Sequence, residues 1–218
     1  MVAGNCYRII KSLLPLCRGG VCPRHPRSAR CWRDRQAFVD ALTSRLGDKT
    51  VDVYAVNYPA SLNFDDAAQG VVDASNKVEA TTAACPRTKI VLGGYSQGAA
   101  VAGYTTTDSL PPGYVLPDGT GPMPAAIAPH VAAVALFGKP SNGFLDLVDR
   151  STPPITIGQL YSGKTIEPCA LGDPVCGGRL SRAAHSEYKG NGMAEQAADF
   201  TARPIPRRPC EAAAQFLR

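Results

Sequence analysis

Residues 89–103 read Lys89-Ile90-Val91-Leu92-Gly93-Gly94-Tyr95-Ser96-Gln97-Gly98-Ala99-Ala100-Val101-Ala102-Gly103. Lys89 to Gly93 is a short apolar run of strand type, and an Ala-rich helix fits from Gln97 to about Thr106. Between them lies the pattern G-x-S-x-G, Gly94 to Gly98. The pattern by itself is common. A strand immediately before it and a helix immediately after it are the context in which it forms a sharp turn that exposes a nucleophilic serine. The glycines let strand and helix approach closely, and the hydroxyl of Ser96 emerges at a helix N-terminus. There the backbone N–H of Gln97 is positioned to help hold a tetrahedral oxyanion.

A serine hydroxyl is a weak nucleophile at neutral pH and needs a base. The chain has three histidines. His25 precedes the turn, in a stretch of different character. His130 stands just before an apolar run, at the N-terminal edge of a strand, whereas sites of this type lie at the C-terminal edge. His185 follows the last expected strand and precedes the last expected helix, so it is the expected base. In the chain order of such sites the acid falls between serine and histidine. Asp108, Asp118, Asp146, Asp149, Glu167 and Asp173 all qualify. Asp173 stands out because it lies inside Cys169-Ala170-Leu171-Gly172-Asp173-Pro174-Val175-Cys176. If those cysteines pair, the loop is rigid, and a rigid carboxylate can fix the imidazole tautomer.

Outward from the turn, strands and helices alternate. A helix is expected over 37–46, stopped by Gly47, then a strand over 51–56 and a helix from about Phe64 to Ala84. Val131-Ala132-Ala133-Val134-Ala135-Leu136-Phe137 is a continuous apolar run, suited to a strand buried on both faces of a parallel sheet. Lys164-Thr165-Ile166 ends a further strand, and a last helix covers Met193 to about Thr201. This alternation predicts a three-layer α/β domain with a central, mostly parallel sheet. Pro111–Pro129 is a long Pro/Gly-rich connection. With the turn Gly177–Ala184 it carries Tyr114, Leu116, Met123, Ile127 and Leu180, which are expected either to line an apolar pocket or to pack on their own domain.

The 218 residues suffice for one well-buried domain, and no apolar run is long enough to span a bilayer. The formal charge of +5 is unevenly placed. Residues 1–36 carry Arg8, Lys11, Arg18, Arg24, Arg27, Arg30, Arg33 and Arg35 against Asp34, so the remainder is slightly acidic. A nucleic-acid role would rest on that segment alone, which offers only Tyr7 and Trp32 as aromatics, and none is expected. Eight cysteines suggest an oxidising compartment. The alternative, a metal site from Cys17, Cys22, His25 and Cys31, has irregular spacing for zinc. No dinucleotide or phosphate-loop fingerprint occurs, and no cofactor or metal is expected. The start of the chain, with Pro15 breaking a short apolar piece, makes a poor signal peptide. Residues 17–36 show no regular periodicity.

Tyr54-Ala55-Val56-Asn57-Tyr58-Pro59-Ala60, Gly93 to Ala99, the Cys169…Asp173…Cys176 loop and Ala184-His185-Ser186-Glu187-Tyr188 together resemble the cutinase family, most closely its mycobacterial-type members, over about residues 37–200. The resemblance implies a small α/β hydrolase that cleaves carboxylic esters of lipids or polyesters. It gives Ser96, Asp173 and His185 the triad roles and pairs Cys169 with Cys176. It also implies a secreted or cell-wall-associated protein, in contact with lipid interfaces and monomeric.

The two ends depart from the family pattern. Members open with an apolar strand leading into an Arg-Gly-Ser/Thr turn, whose hydroxyl residue supplies a second oxyanion donor. No such segment is evident, and Arg18-Gly19-Gly20 comes nearest. The family partner of Cys85 would have to be Cys17, Cys22 or Cys31. The expectation is therefore an anomalous segment 1–36, read from a shifted frame or altered gene start, a cutinase-like domain over 37–202 and a divergent tail over 203–218. A missing first strand would expose a central sheet edge. The alternative function is then a catalytically impaired relic, or a binding or antigenic domain without a complete oxyanion hole.

Overall fold

In a computed structural model, residues 7–12, 26–60, 66–110, 112, 116–117, 120–178 and 181–205 are described. The described residues form a five-stranded sheet in the order β2-β1-β3-β4-β5. The strands are β1 (Tyr7–Ser12), β2 (Val51–Ala55), β3 (Lys89–Tyr95), β4 (Val131–Phe137) and β5 (Thr165–Ile166). Every pairing is parallel. Between them run α1 (Pro26–Leu46), α2 (Asp66–Ala84), α3 (Gln97–Thr105), α4 (Asn142–Val148) and α5 (Gln159–Ser162), and α6 (Met193–Ala202) follows β5. Parallel strands need such crossovers. The expected α/β architecture is the one observed.

The apolar strands sort their side chains to two sides. Ile90, Leu92, Val134 and Leu136 join one core with Ala67, Val71, Ala74 and Val78 of α2 and Val101 and Tyr104 of α3. Val91, Ala135 and Phe137 join the other, with Phe38 and Leu42 of α1 and Ala194, Ala197 and Ala198 of α6. Burial on both faces is why β4 reads as unbroken Val/Ala/Leu/Phe rather than as an alternation. Small residues on α3, all of it buried, let that helix lie close on the sheet.

The amino-terminal segment corrects the sequence-based expectation. Tyr7–Ser12 is the strand between β2 and β3, with Ile9 opposite Val53 on one side and Val91 on the other. No sheet edge is left open there, and the missing-strand argument for an impaired relic falls. The helix expected from residue 37 begins at Pro26, so it runs through the boundary drawn at 36/37. Proline is well suited to a first helical turn, where its missing N–H costs no bond. Gly47 ends α1 at φ +60, as its position suggested. The start expected for α2 near Asn63, Arg18-Gly19-Gly20, His25, the cysteines before β2 that are not in α1, and the tail beyond Ile205 lie outside the described residues.

The long connection before β4 contributes to the core, one of the two readings its apolar residues allowed. Leu116, Met123 and Ile127 are buried and pack in the first core. Tyr114 and Leu180 lie outside the described residues. Among the described residues no helix is long and apolar enough to cross a membrane.

Candidate active site

All of the expected site residues sit beyond the C-terminal ends of the strands. The chain leaves β1 toward β2 on one side of the sheet and returns through β3 and β4 on the other, so the order reverses beside β3. That reversal opens a crevice at the carboxyl ends, where ligands of open α/β sheets bind. Ser96 follows β3 directly and caps α3 with φ 55 and ψ −124. Among the described residues it is the one non-glycine with positive φ. Such a conformation costs on the order of 1–3 kcal/mol and persists where surrounding bonds over-determine it. Here the Ser96 N–H donates to the Phe137 carbonyl at 2.9 Å, and the Ser96 carbonyl accepts from the Ala99 and Ala100 N–H groups at 2.8 and 3.2 Å. Gly94 is required by space: a Cβ there would stand 2.0 Å from the Gly98 carbonyl oxygen. Gln97 is the first residue of α3 and is buried. First-turn N–H groups have no intrahelical acceptor, which is why such a position suits an anion.

His185 lies in a short 3₁₀ turn, Ala184–Ser186, downstream of β5. Its Nε2 is 3.0 Å from Ser96 Oγ and its Nδ1 is 2.8 Å from Asp173 Oδ2. Geometry selects Asp173 from the acids that sequence order allowed. Asp108 accepts from the Gln159 N–H, Glu167 pairs with Lys139 at 2.9 Å, Asp146 is within α4, and Asp149 closes α4 and binds Ser151. Asp118 lies outside the described residues. His130 ends a 3₁₀ turn before β4, at the sheet's opposite edge.

Asp173 is fully buried. A bare carboxylate there would be costly, and three donors offset that cost. The Val175 N–H donates to Oδ1 at 2.8 Å, while His185 Nδ1 and the Tyr188 hydroxyl both reach Oδ2. Burial pushes the carboxyl up, but the hydrogen bonds from His185, Tyr188 and Val175 outweigh it and hold the group below its ordinary value. The loop that carries it is closed by the Cys169–Cys176 disulfide. The Asp173 N–H bonds to the Ala170 carbonyl at 3.0 Å, and the Gly177 N–H bonds to the Asp173 carbonyl at 2.9 Å.

Three supporting residues escaped the sequence reading. Tyr95 stacks on the His185 ring with centroids 4.8 Å apart, and its hydroxyl donates to the His185 carbonyl. Tyr188 donates to Asp173 from a fully buried position. Gly138, at φ +55 just past β4, passes so close that a Cβ there would be 3.1 Å from Asp173 Oδ2, His185 Cε1 and the Tyr188 hydroxyl. The Gly after the apolar strand and the Tyr three residues after His185 were visible signals, but spacing alone attached them to nothing.

A linear serine–imidazole–carboxylate chain beside a helix N-terminus can move a proton off the hydroxyl and stabilise the resulting cation. Among the described residues no group of three or more His, Cys, Asp or Glu side chains converges as a metal site.

Comparison with known proteins shows the family. The family profile described as Cutinase matches residues 28–205. The chain is 51% identical over 170 residues to the probable carboxylesterase Culp5 of Mycobacterium tuberculosis, covering 78% of this chain and 96% of that one. It is 48% identical over 171 residues to the carboxylesterase Culp1 of the same organism, covering 78% and 72%. Among solved structures it is similar to Trichoderma reesei cutinase in complex with a phosphonate inhibitor, with a TM-score of 0.60, 25% identity, and coverage of 94% of this chain and 79% of that chain. From the buried carboxylate to the strained serine, and across most of its length, this chain belongs to the cutinase family.

Proposed function

We propose that the protein hydrolyses carboxylic esters by acyl transfer through Ser96. His185 Nε2 takes the hydroxyl proton as Ser96 Oγ attacks the ester carbonyl carbon. Asp173 holds the imidazole with its proton on Nδ1 and stabilises the imidazolium that forms. The Gln97 N–H faces the oxyanion of the tetrahedral intermediate. Collapse expels the alcohol, which leaves with the proton from His185, and Ser96 retains the acyl group. Water then attacks the acyl-enzyme with His185 again as base, releasing the carboxylic acid and restoring the serine. The hydrogen-bonded chain from Ser96 through His185 to Asp173 carries this reading. Carboxylesterase relatives across most of the chain support the ester as substrate.

The substrates in this proposal are esters of lipids or polyesters, met at an apolar interface by a monomer outside the cell. The paired Cys169 and Cys176 support an oxidising compartment. The test is hydrolysis of a short-chain p-nitrophenyl ester by the chain and its Ser96→Ala variant. Turnover should fall to within about 10³–10⁴-fold of the uncatalysed rate in the variant. A variant that keeps wild-type turnover removes Ser96 as nucleophile.

A further inference from the structure

We infer that Tyr188 is a positioning residue of this site, whose hydroxyl shares Asp173 Oδ2 with His185 and thereby sets both the carboxylate's orientation and its pull on the imidazole. The inference rests on the triad reading above.

Two donors meet on one carboxylate oxygen. His185 Nδ1 stands 2.8 Å from Asp173 Oδ2, and the Tyr188 hydroxyl donates to the same atom. The other oxygen is occupied by the Val175 N–H. The tyrosine is itself held at both ends. Its oxygen accepts from the Ala170 N–H at 3.1 Å, so one hydroxyl ties the Asp173 carboxylate to the backbone of its own disulfide loop. Its ring is packed edge-on among Tyr95, Phe137 and His185, with centroids 5.8, 5.9 and 6.5 Å away. A buried ring packed on three sides, with its hydroxyl bonded to two partners, is held where it points. Burial, and then the bond to Asp173, push that hydroxyl's ionisation upward, so it remains a donor at any working pH.

The consequence for the reaction follows from charge. Each donor on Oδ2 draws off part of the negative charge that would otherwise face His185. Without the Tyr188 hydroxyl, Oδ2 would attract the imidazolium more strongly, while the carboxylate would be freer to rotate. The first change moves the acid limb of kcat/KM to higher pH. The second lowers kcat, because imidazole aim is set by the carboxylate. The groups facing this pair from the packed elements are Ser96 and Tyr95 on the β3 side and Tyr188 beyond the 3₁₀ turn, while β4 presents the uncharged Phe137 and Gly138. Asp173 and His185 are thus the acid–base pair that Tyr188 can tune.

The test uses the full chain with p-nitrophenyl ester turnover from pH 5 to 9, about the range in which histidine titrates. Tyr188→Phe is expected to lower kcat about tenfold with KM within about twofold, and to raise the acid limb by about half a pH unit. In an Asp173→Asn background, removing the same hydroxyl should cost much less, since its target has changed. Fluorotyrosine at 188 keeps the ring and the hydroxyl but donates more strongly, and should move the acid limb to lower pH. An acid limb that stays put in both Tyr188 variants overturns the inference. So does an equal loss from Tyr188→Phe with and without Asp173. Loss of turnover in Ser96→Ala is scored separately, so failure of the triad reading is distinguishable from failure of the Tyr188 role.

Discussion

Replacing Gly138 by alanine separates backbone strain from damage to the site, because Gly47 provides the same strain without the site. Gly138 has φ +55 and Gly47 has φ +60. An L-residue in that region costs roughly 1–2 kcal/mol, which for a domain of this size lowers Tm by about 2–8 °C. That cost is common to both variants. They differ in what the new methyl meets. At Gly47 nothing lies within 4 Å. At Gly138 three atoms lie 3.1 Å away, Asp173 Oδ2, His185 Cε1 and the Tyr188 hydroxyl, and ordinary contact begins near 3.4 Å. Each must retreat by a few tenths of an ångström, and the retreat pushes on a chain whose Ser96–His185 link is 3.0 Å long. Misplacement on that scale, short of the 1 Å that can cost 10²-fold, predicts a fall in kcat of roughly 10- to 100-fold with KM little changed. Initial rates on a p-nitrophenyl ester, measured beside thermal unfolding of both variants, give the comparison. If Gly138→Ala and Gly47→Ala are both folded and lose the same small amount of kcat, the idea that β4 presses against the triad is wrong.

Two further outcomes follow from the acid and its loop. Asp173→Asn should lower kcat on the order of 10⁴-fold, since an amide cannot hold the working tautomer. Asp173 has a folded-state value below its ordinary one, so its ionisation stabilises the fold above the unfolded value near 3.9 and stops doing so as pH falls through the folded value. The Tm gap between wild type and Asp173→Asn should therefore be widest near neutrality and close below about pH 4, and a gap independent of pH would contradict the assignment. Replacing both Cys169 and Cys176 by alanine opens a loop with a sequence separation of 7. Chain entropy alone puts the loss at about 2.5 kcal/mol, or a Tm lower by about 5–10 °C. The carboxylate should then be less well held, so kcat measured well below the new Tm should fall too. Unchanged kcat would show that Tyr188 and Val175 position Asp173 without the disulfide.

The serine turn and the alternation of elements were legible because they are local. Ile90, Val91 and Leu92 before two glycines, and small residues after them, specify a strand, a tight turn and a closely packed helix whatever the rest of the chain does. Chain order then left His185 as the expected base. It could not choose among six acids, because Asp108, Glu167 and Asp173 differ in surroundings rather than in sequence position. A disulfide loop pointed to Asp173, and the bonds that set it apart from the others come from residues as distant as Tyr188. The sequence left Leu116, Met123 and Ile127 open between lining a pocket and packing on their own domain for a similar reason. An apolar residue in a loop packs wherever apolar surface is within reach, and here that surface is the core beside α2 and α3.

The amino-terminal strand is the clearest division between the two kinds of information. Tyr7–Ser12 contains Arg8, Lys11 and Ser12, and its pattern is too short and too polar to declare a central strand. What makes it one is backbone pairing to Val51–Ala55 and Lys89–Gly94, over forty residues away, through N–H and C=O groups that every such residue carries. Sequence alone pointed to the fold class, the turn serine and the histidine proposed to pair with it, because periodicity, glycine and chain order act over a few residues. Tertiary structure decided which strand fills the centre of the sheet, which acid faces the imidazole, and that Gly138, Tyr95 and Tyr188 close around them. Those are contacts between distant segments, and their energies exist only once the chain has folded.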